Sequence, residues 1–390
     1  MAMKIDQGTA RALNRRLILN LLRERGALSR AEIAAAVGLS GATVTFAVGD
    51  LIEEGLLVEG PPSKGATGRR PIPVEINYSG LLAVGLKVMV GSVECVLTDL
   101  STTPLLTRTF SLPDQAPETV ADICARAVQA LLAEGGSEAS RLIGIGIAVP
   151  GSVQDGICRE SHRFGWRNVP IASMLAERVH VPVWAEDDTN AFALAQQLFR
   201  LGLHHKTVGA LAIVAGIGCA VIIEGAVHHG FTGSAGKIGH TNHDPSGLTC
   251  ECGRRGCLQA HFAEPAIVAR WQKASGQSPG VTRFDMVAAA QAGDTLAKDI
   301  LAEAGRGIGR VLAVYCHVID PEIIVVGGEA VAFGDFLFDP MRQALAEGML
   351  WTPPPIMPDW VDNSWAQGAA ALATRQIFDF AAQDGATKLE

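Results

Sequence analysis

The chain has 390 residues, of which 48% are hydrophobic and 18% charged, and it carries a formal net charge of −8. That balance excludes a disordered polymer and leaves room for two or three folded domains. The N-terminus lacks the charged, apolar and small-residue segments of a signal peptide, and the longest apolar run, Leu211 to Ile223, is short and broken by glycine. We therefore expect a cytoplasmic protein without a membrane partner, whose thiols stay reduced.

Charge is uneven along the chain: residues 1–80 hold ten Lys/Arg against eight Asp/Glu, leaving 22 against 32 for the remainder. A slightly basic front on an acidic body suits a small module that meets a polyanion. From Arg11 to Arg25, Leu13, Leu17, Ile18, Leu21 and Leu22 recur at helical spacing, and Gly26 stops the helix. Ser29 with Glu32 has the form of a capping box opening a second helix, Arg30 to Val37, which Gly38 ends. Ser40 caps a third helix running to about Glu54. Helix, tight turn and helix form the helix-turn-helix pattern, with the third helix as the one that enters a DNA major groove.

On that third helix Val44, Val48, Leu51 and Ile52 share an inner arc, so Ala42, Phe46, Gly49 and Glu53 face outward with Thr45 and Asp50 at the margins. Ser40, Ala42, Thr43, Thr45 and Phe46 are the candidate DNA-reading residues. Phe46 has two readings, contact with a thymine methyl or folding back against the wing. A Gly- and Pro-rich loop with Lys64, Arg69 and Arg70, followed by a strand Ile72 to Ile76, predicts a two-stranded wing whose basic tip meets phosphates or the minor groove. The first unit, 1–78, is thus expected to be a winged helix-turn-helix domain.

Beyond it the chain alternates. Two strands within 81–100, a helix over 119–134, a buried strand from Leu142 to Val149, the strand Val183 to Ala185, a helix over 190–200, a hairpin over 208–228 and a strand Ile323 to Val326 predict an α/β fold for 79–390. Within it lies GKIGHTNHDPSGLTCECGRRGCLQAH. His240, Cys250, Cys252 and Cys257 supply one imidazole and three thiols, which fill the tetrahedral positions of a structural zinc ion and leave none open for a catalytic water. Gly253 and Gly256 let the chain turn sharply enough for the sulfurs to converge. Cys95, Cys124, Cys158 and Cys316 sit singly among apolar residues and read as small core residues.

Five motifs in fixed order, AVPGSVQDG at 148–156, GWRNVPI at 165–171, EDDTNAFALA at 186–195, the Gly-His to Gly-Cys-Leu segment at 239–258 and DPEIIVVGG at 320–328, resemble the ROK family of repressors, open reading frames and kinases. The resemblance covers essentially the whole chain. It implies an actin-like (ASKHA-type) fold of two α/β lobes with a sugar cleft between them. In family kinases the first strand carries an Asp-x-Gly-x-Thr-type loop for metal and phosphate. Here that stretch is Gly85 to Gly91, Lys87 takes the carboxylate position, and the second phosphate loop, Val214 to Ala220, is short of glycines. Phosphoryl transfer depends on Mg²⁺ and close backbone approach to the phosphates, so the expectation is no enzyme activity.

The resemblance further implies that Asp187, Asp188, Lys237, His240 and Gln259 bind the ligand. Asp188 keeps the carboxylate that acts as base in the kinases, Lys237 and Gln259 replace family glutamates, and His240 offers one ring nitrogen to zinc and the other to a sugar hydroxyl. Lys237 either selects an anionic effector such as a sugar phosphate or pairs with Asp187. The expected function is a sugar-responsive repressor, dimeric or tetrameric, that binds operator DNA. The alternatives are a sugar kinase fused to a DNA-binding domain and, further off, a metal-sensing regulator.

Overall fold

The computed structural model describes residues 7–61, 71–136, 141–361 and 363–378, and every statement below concerns those residues. They form two compact bodies. One gathers the chain up to Ala148 with Pro170–Glu186 and the segment from Ala366 onward, and the other gathers Val149–Val169 and Asp187–Trp365.

The first body begins with three helices, α1 (Gln7–Arg25), α2 (Arg30–Val37) and α3 (Gly41–Glu53), and a small antiparallel sheet of β1 (Leu28–Ser29), β3 (Pro73–Ile76) and β2 (Leu57–Glu59) in that spatial order. Ser29 and Glu32 do form the reciprocal capping box, Gly38 ends α2 in the left-handed conformation, and Ser40 accepts the Thr43 amide at the start of α3. These caps satisfy helix-end amides that would otherwise have no partner. The core of this head is Ile18, Leu19, Leu22, Ile33, Val44, Val48, Leu51, Leu57, Val74 and Ile76. The inward face of α1 is turned from the sequence expectation: Leu13 is 40% exposed and Leu19 is buried in its place. Five leucines and an isoleucine in ten residues make the apolar stripe wide, and tertiary contacts rather than spacing select which of them go inside.

The rest of this body is a five-stranded mixed sheet in the order β11 (Val183–Asp187), β7 (Leu142–Val149), β4 (Leu82–Met89), β5 (Ser92–Asp99), β6 (Pro104–Ser111). It carries α4 (Pro117–Glu134) and α5 (Ile171–Val179). Residues from Ala366 to Phe378 continue helix α12 (Ser364–Phe378), which lies against the central strands. It comes so close that a Cβ at Gly85 would collide with the Ala366 carbonyl and one at Gly146 with the Ala369 carbonyl. The far end of α12 reaches the N-terminal head: Asn20 Nδ2 on α1 donates to the Phe378 carbonyl at 2.7 Å, and the Arg23 guanidinium lies 5.6 Å above the Phe378 ring. Phe378 itself is buried.

The second body holds a three-stranded sheet of β10 (Trp166–Val169), β9 (Ile157–Ser161) and β8 (Ser152–Gln154). Its main sheet runs β14 (Ala226–Val227), β13 (Ile217–Ile223), β12 (Val208–Ile213), β15 (Ile323–Gly327), β16 (Ile356–Pro358). Helices α6 (Asp188–Phe199), α7 (Leu258–Phe262), α8 (Glu264–Ser275), α9 (Arg283–Gln291), α10 (Thr295–Ile319) and α11 (Asp335–Gly348) complete it. The large core around Trp271, Phe262, Phe333 and Phe338 packs α7 to α11 onto the β12–β13–β15 strands, and α6 packs on the same strands through a separate cluster around Phe192. No single helix is long and apolar enough to cross a membrane.

Candidate functional site

Two sites emerge. The first is the outer face of α3. Ala42, Thr45 and Phe46 are exposed, Phe46 at 75%, while the wing loop of the alternative reading lies outside the described residues. Ser40 Oγ and Thr43 Oγ1 are 2.8 Å apart, and Thr45 donates to the Gly41 carbonyl at 2.7 Å, so the hydroxyls are oriented by the helix start. The helix is clamped from behind: Arg11 on α1 pairs with Asp50 at 2.6 Å and Arg15 pairs with Glu54. Hydrogen bonding from Arg15 holds the Glu54 carboxyl below its usual range. Lys64, Arg69 and Arg70 lie outside the described residues.

The second is a cavity of about 390 Å³ within the second body, within the size range of small-molecule sites. Asp187 ends β11 and caps α6: its Oδ1 accepts the Thr189 and Asn190 amides. Its other oxygen meets Lys237 Nζ at 2.6 Å, and Lys237 also donates to the Gly151 carbonyl at 2.8 Å. Of the two readings of Lys237, the pairing with Asp187 is the one in place. The Asp187 side chain is only 5% exposed, which makes it scaffold as much as ligand group. Asp188, one residue on, is half-buried in the cavity wall.

His240 closes a short turn, Ile238–His240, and comes to the cavity wall beside Cys252. Ligand atoms of His240, Cys250, Cys252 and Cys257 all lie within 4.8 Å of one another. Cys250 Sγ and His240 Nδ1 are 3.6 Å apart, and Cys252 and Cys257 sulfurs are 3.7 Å apart. A tetrahedron with zinc's usual bond lengths has edges of about 3.5 Å between nitrogen and sulfur and about 3.8 Å between sulfurs, so the donor set can hold such an ion. Gly253 and Gly256 take positive φ of 83° and 76°, which turns the knuckle as the sequence required. Burial, then the neighbouring Arg254 charge, pulls His240 below its ordinary pKa and favours the neutral ring a metal binds. The four isolated cysteines are buried, as is Cys219, and burial pushes the Cys158 and Cys316 thiols up to about 11.

Sequence reasoning missed the far wall. Arg163, on the turn between β9 and β10, forms a bidentate pair with Glu251 at 2.9 and 3.0 Å and donates to the Ala215 carbonyl at 3.3 Å. Glu251 in turn accepts from Gln259 Nε2 at 3.0 Å, and Gln259 Oε1 faces the Ile217 amide at 3.5 Å. Glu160, His162 and Arg254 also line the cavity. The signal was a carboxylate lodged between two of the clustered cysteines and an Arg just ahead of Gly165-Trp166. In the first body, the Lys87 expectation meets a plain structural fact: it is buried in β4, directly across from Glu94 on β5.

A winged helix-turn-helix head and a sugar-kinase-like α/β body with a polyhydroxyl-sized cavity and a Cys₃His knuckle define a DNA-binding regulator built on a sugar-kinase scaffold. A model described as ROK family matches residues 83–376, and one described as winged helix-turn-helix DNA-binding matches residues 11–58. The chain belongs to the ROK family. It is 27% identical over 342 residues to the xylose repressor of Bacillus subtilis, covering 87% of this chain and 88% of that one. It is also 27% identical over 379 residues to the transcriptional dual regulator NagC of Escherichia coli K12 (94% and 93%), and 30% identical over 276 residues to a glucokinase of Thermotoga maritima (66% and 86%). The crystal structure of a ROK family transcriptional regulator, a homologue of the E. coli MLC protein, superposes with a TM-score of 0.83 at 22% identity, covering 95% of this chain and 98% of that one.

Proposed function

We propose that the chain is a sugar-responsive transcriptional repressor of the cytoplasm, with a DNA-binding domain at 1–78 and a sugar-binding domain at 79–390. The observation that carries this reading is α3, capped by Ser40, clamped by Arg11 and Arg15, and presenting Phe46 outward. A helix so held is preorganised for a major groove, with Ser40, Ala42, Thr43, Thr45 and Phe46 at the DNA, and a homo-oligomer sets two such helices on two half-sites. Lys64, Arg69 and Arg70 are assigned to phosphates on sequence grounds alone.

The effector is a small carbohydrate in the cavity, met by Asp188, His240 and the Glu251–Gln259 pair. The knuckle holds structural zinc through His240 Nδ1 and three thiolates, which fixes the ring so that its other nitrogen faces the cavity. When bound, the ion supplies rigidity and no open coordination position. Differential affinity of the sugar for two conformations of the protein shifts operator binding. Buried Lys87 opposite Glu94 argues against a Mg²⁺-phosphate site at that strand.

The test has two arms. An operator is selected from a random duplex pool with purified protein, and its release is followed by fluorescence anisotropy as sugars are added. An ATP-coupled assay runs on the same sugars. Sugar-dependent release with no turnover is the expected result, and steady ATP-dependent phosphorylation overturns it.

A further inference from the structure

The cations and carboxylates of the cavity are matched to one another. Lys237 meets Asp187 at 2.6 Å and Arg163 holds Glu251 bidentately. Arg254 stands beside Cys252 on the wall, next to a cluster whose three thiolates on a divalent ion would carry one net negative charge. Beside these three pairings the wall carries two further carboxylates, Asp188, which accepts from Thr189 Oγ1 at 3.2 Å, and Glu160, which lies 3.5 Å from the Arg167 guanidinium. An anionic ligand could recruit Arg163 or Lys237 only by stripping a carboxylate of its partner, and Asp187 is buried, where an uncompensated charge is most costly. A hydroxyl group meets no such obstacle, because carboxylate oxygens accept hydroxyl hydrogen bonds while keeping their ion pairs.

The position of Glu251 adds a second point. Gln259 stands where a carboxylate is expected by family resemblance, and its amide nitrogen donates to Glu251 Oε1 at 3.0 Å while Arg163 fixes the same carboxylate from the other side. Glu251 is therefore held in one orientation on the cavity wall, and its charge stands in for the one lost at 259.

We propose that this cavity takes an uncharged monosaccharide and discriminates against its phosphate ester, with Glu251, oriented by Arg163 and Gln259, as a specificity-determining hydroxyl acceptor. The proposal rests on the reading of the cavity as the effector site, and its test separates the two. Titration calorimetry on the full-length protein uses D-xylose, D-glucose and N-acetyl-D-glucosamine, together with D-glucose 6-phosphate and N-acetyl-D-glucosamine 6-phosphate. At least one neutral sugar binds, and a phosphate ester binds at least about tenfold more weakly than its parent, one factor of ten being about 1.4 kcal/mol. A phosphate ester that binds as tightly as its parent, or more tightly, overturns the discrimination while leaving the cavity as the effector site. Binding of none of the five removes both readings.

Glu251→Gln keeps the side chain's shape and its contact with Gln259 but leaves Arg163 uncompensated. It lowers affinity for the neutral sugar about tenfold and brings the phosphate ester level with or ahead of it, with metal content unchanged. A purely structural role for Glu251 lowers both ligands equally, and an unchanged ratio of the two affinities overturns its assignment. Asp188→Asn, outside the Arg163 network, lowers neutral-sugar affinity without reversing the ratio.

Discussion

Phe46→Ala isolates the DNA-reading face from the stability of the head. A phenylalanine side chain carries roughly 150–250 Å² of surface, and Phe46 is 75% exposed, so roughly 150 Å² is available to a partner and little is buried at home. Removing it therefore changes stability by no more than about 0.5 kcal/mol. Burial of half that area against a thymine methyl and the adjacent sugar, at roughly 25 cal/mol per Å², is worth about 2 kcal/mol, which is roughly 25-fold in Kd. The assay is fluorescence anisotropy on the selected operator at several salt concentrations, beside a thermal melt. Because the ring neutralises no phosphate, the slope of log K against log salt stays the same in the variant while the curve moves down as a whole. Unchanged operator affinity refutes the assignment, and so does a weaker complex accompanied by a large fall in Tm.

Three other outcomes are expected. Cys257→Ser abolishes tight zinc retention, lowers Tm and weakens sugar binding, and the chelator sensitivity of the wild-type melt disappears in the variant; a variant with full zinc content and an unshifted melt refutes the Cys₃His set. Gly146→Ala drives a Cβ into the Ala369 carbonyl of α12 and costs about 3 kcal/mol, read as a Tm lower by roughly 4–8 °C; a melt within about two degrees of wild type refutes the close approach. Asp294 caps α10 and accepts from Trp271 Nε1 at 3.0 Å, which holds its carboxyl below the ordinary range. The unfolded chain therefore binds the proton first, so this contribution is complete above about pH 4 and disappears as pH falls through the lower folded value. Asp294→Asn flattens that part of the acid limb in thermal melts taken between about pH 5 and pH 2.5, and identical limbs refute the cap.

Much of the head was legible because its signals are local. The ends of α2 and the start of α3 were fixed by Ser29, Glu32, Gly38 and Ser40, each acting within a turn of itself. The knuckle was legible for a similar reason, since Cys250, Cys252 and Cys257 lie within eight residues and only His240 comes from farther off. The cavity's far wall was not. Arg163 and Glu251 are 88 residues apart in sequence, and nothing in the spacing of either announces a pairing that only the folded β9–β10 turn creates. Likewise the inner face of α1 depended on what it packs against, so a periodicity that pointed to Leu13 missed Leu19.

The bond from Asn20 to the Phe378 carbonyl joins two residues 358 positions apart. A DNA-reading head fastened in this way is not a cassette that can be lifted out by cutting after residue 78. Grafting it onto another body, or exchanging heads between relatives, leaves Asn20 and Arg23 facing a surface that was never shaped for them unless the end of α12 travels too. For the same reason a tag fused close behind Phe378 disturbs Asn20 and Arg23 on α1, the helix whose Arg11 and Arg15 hold α3 from behind.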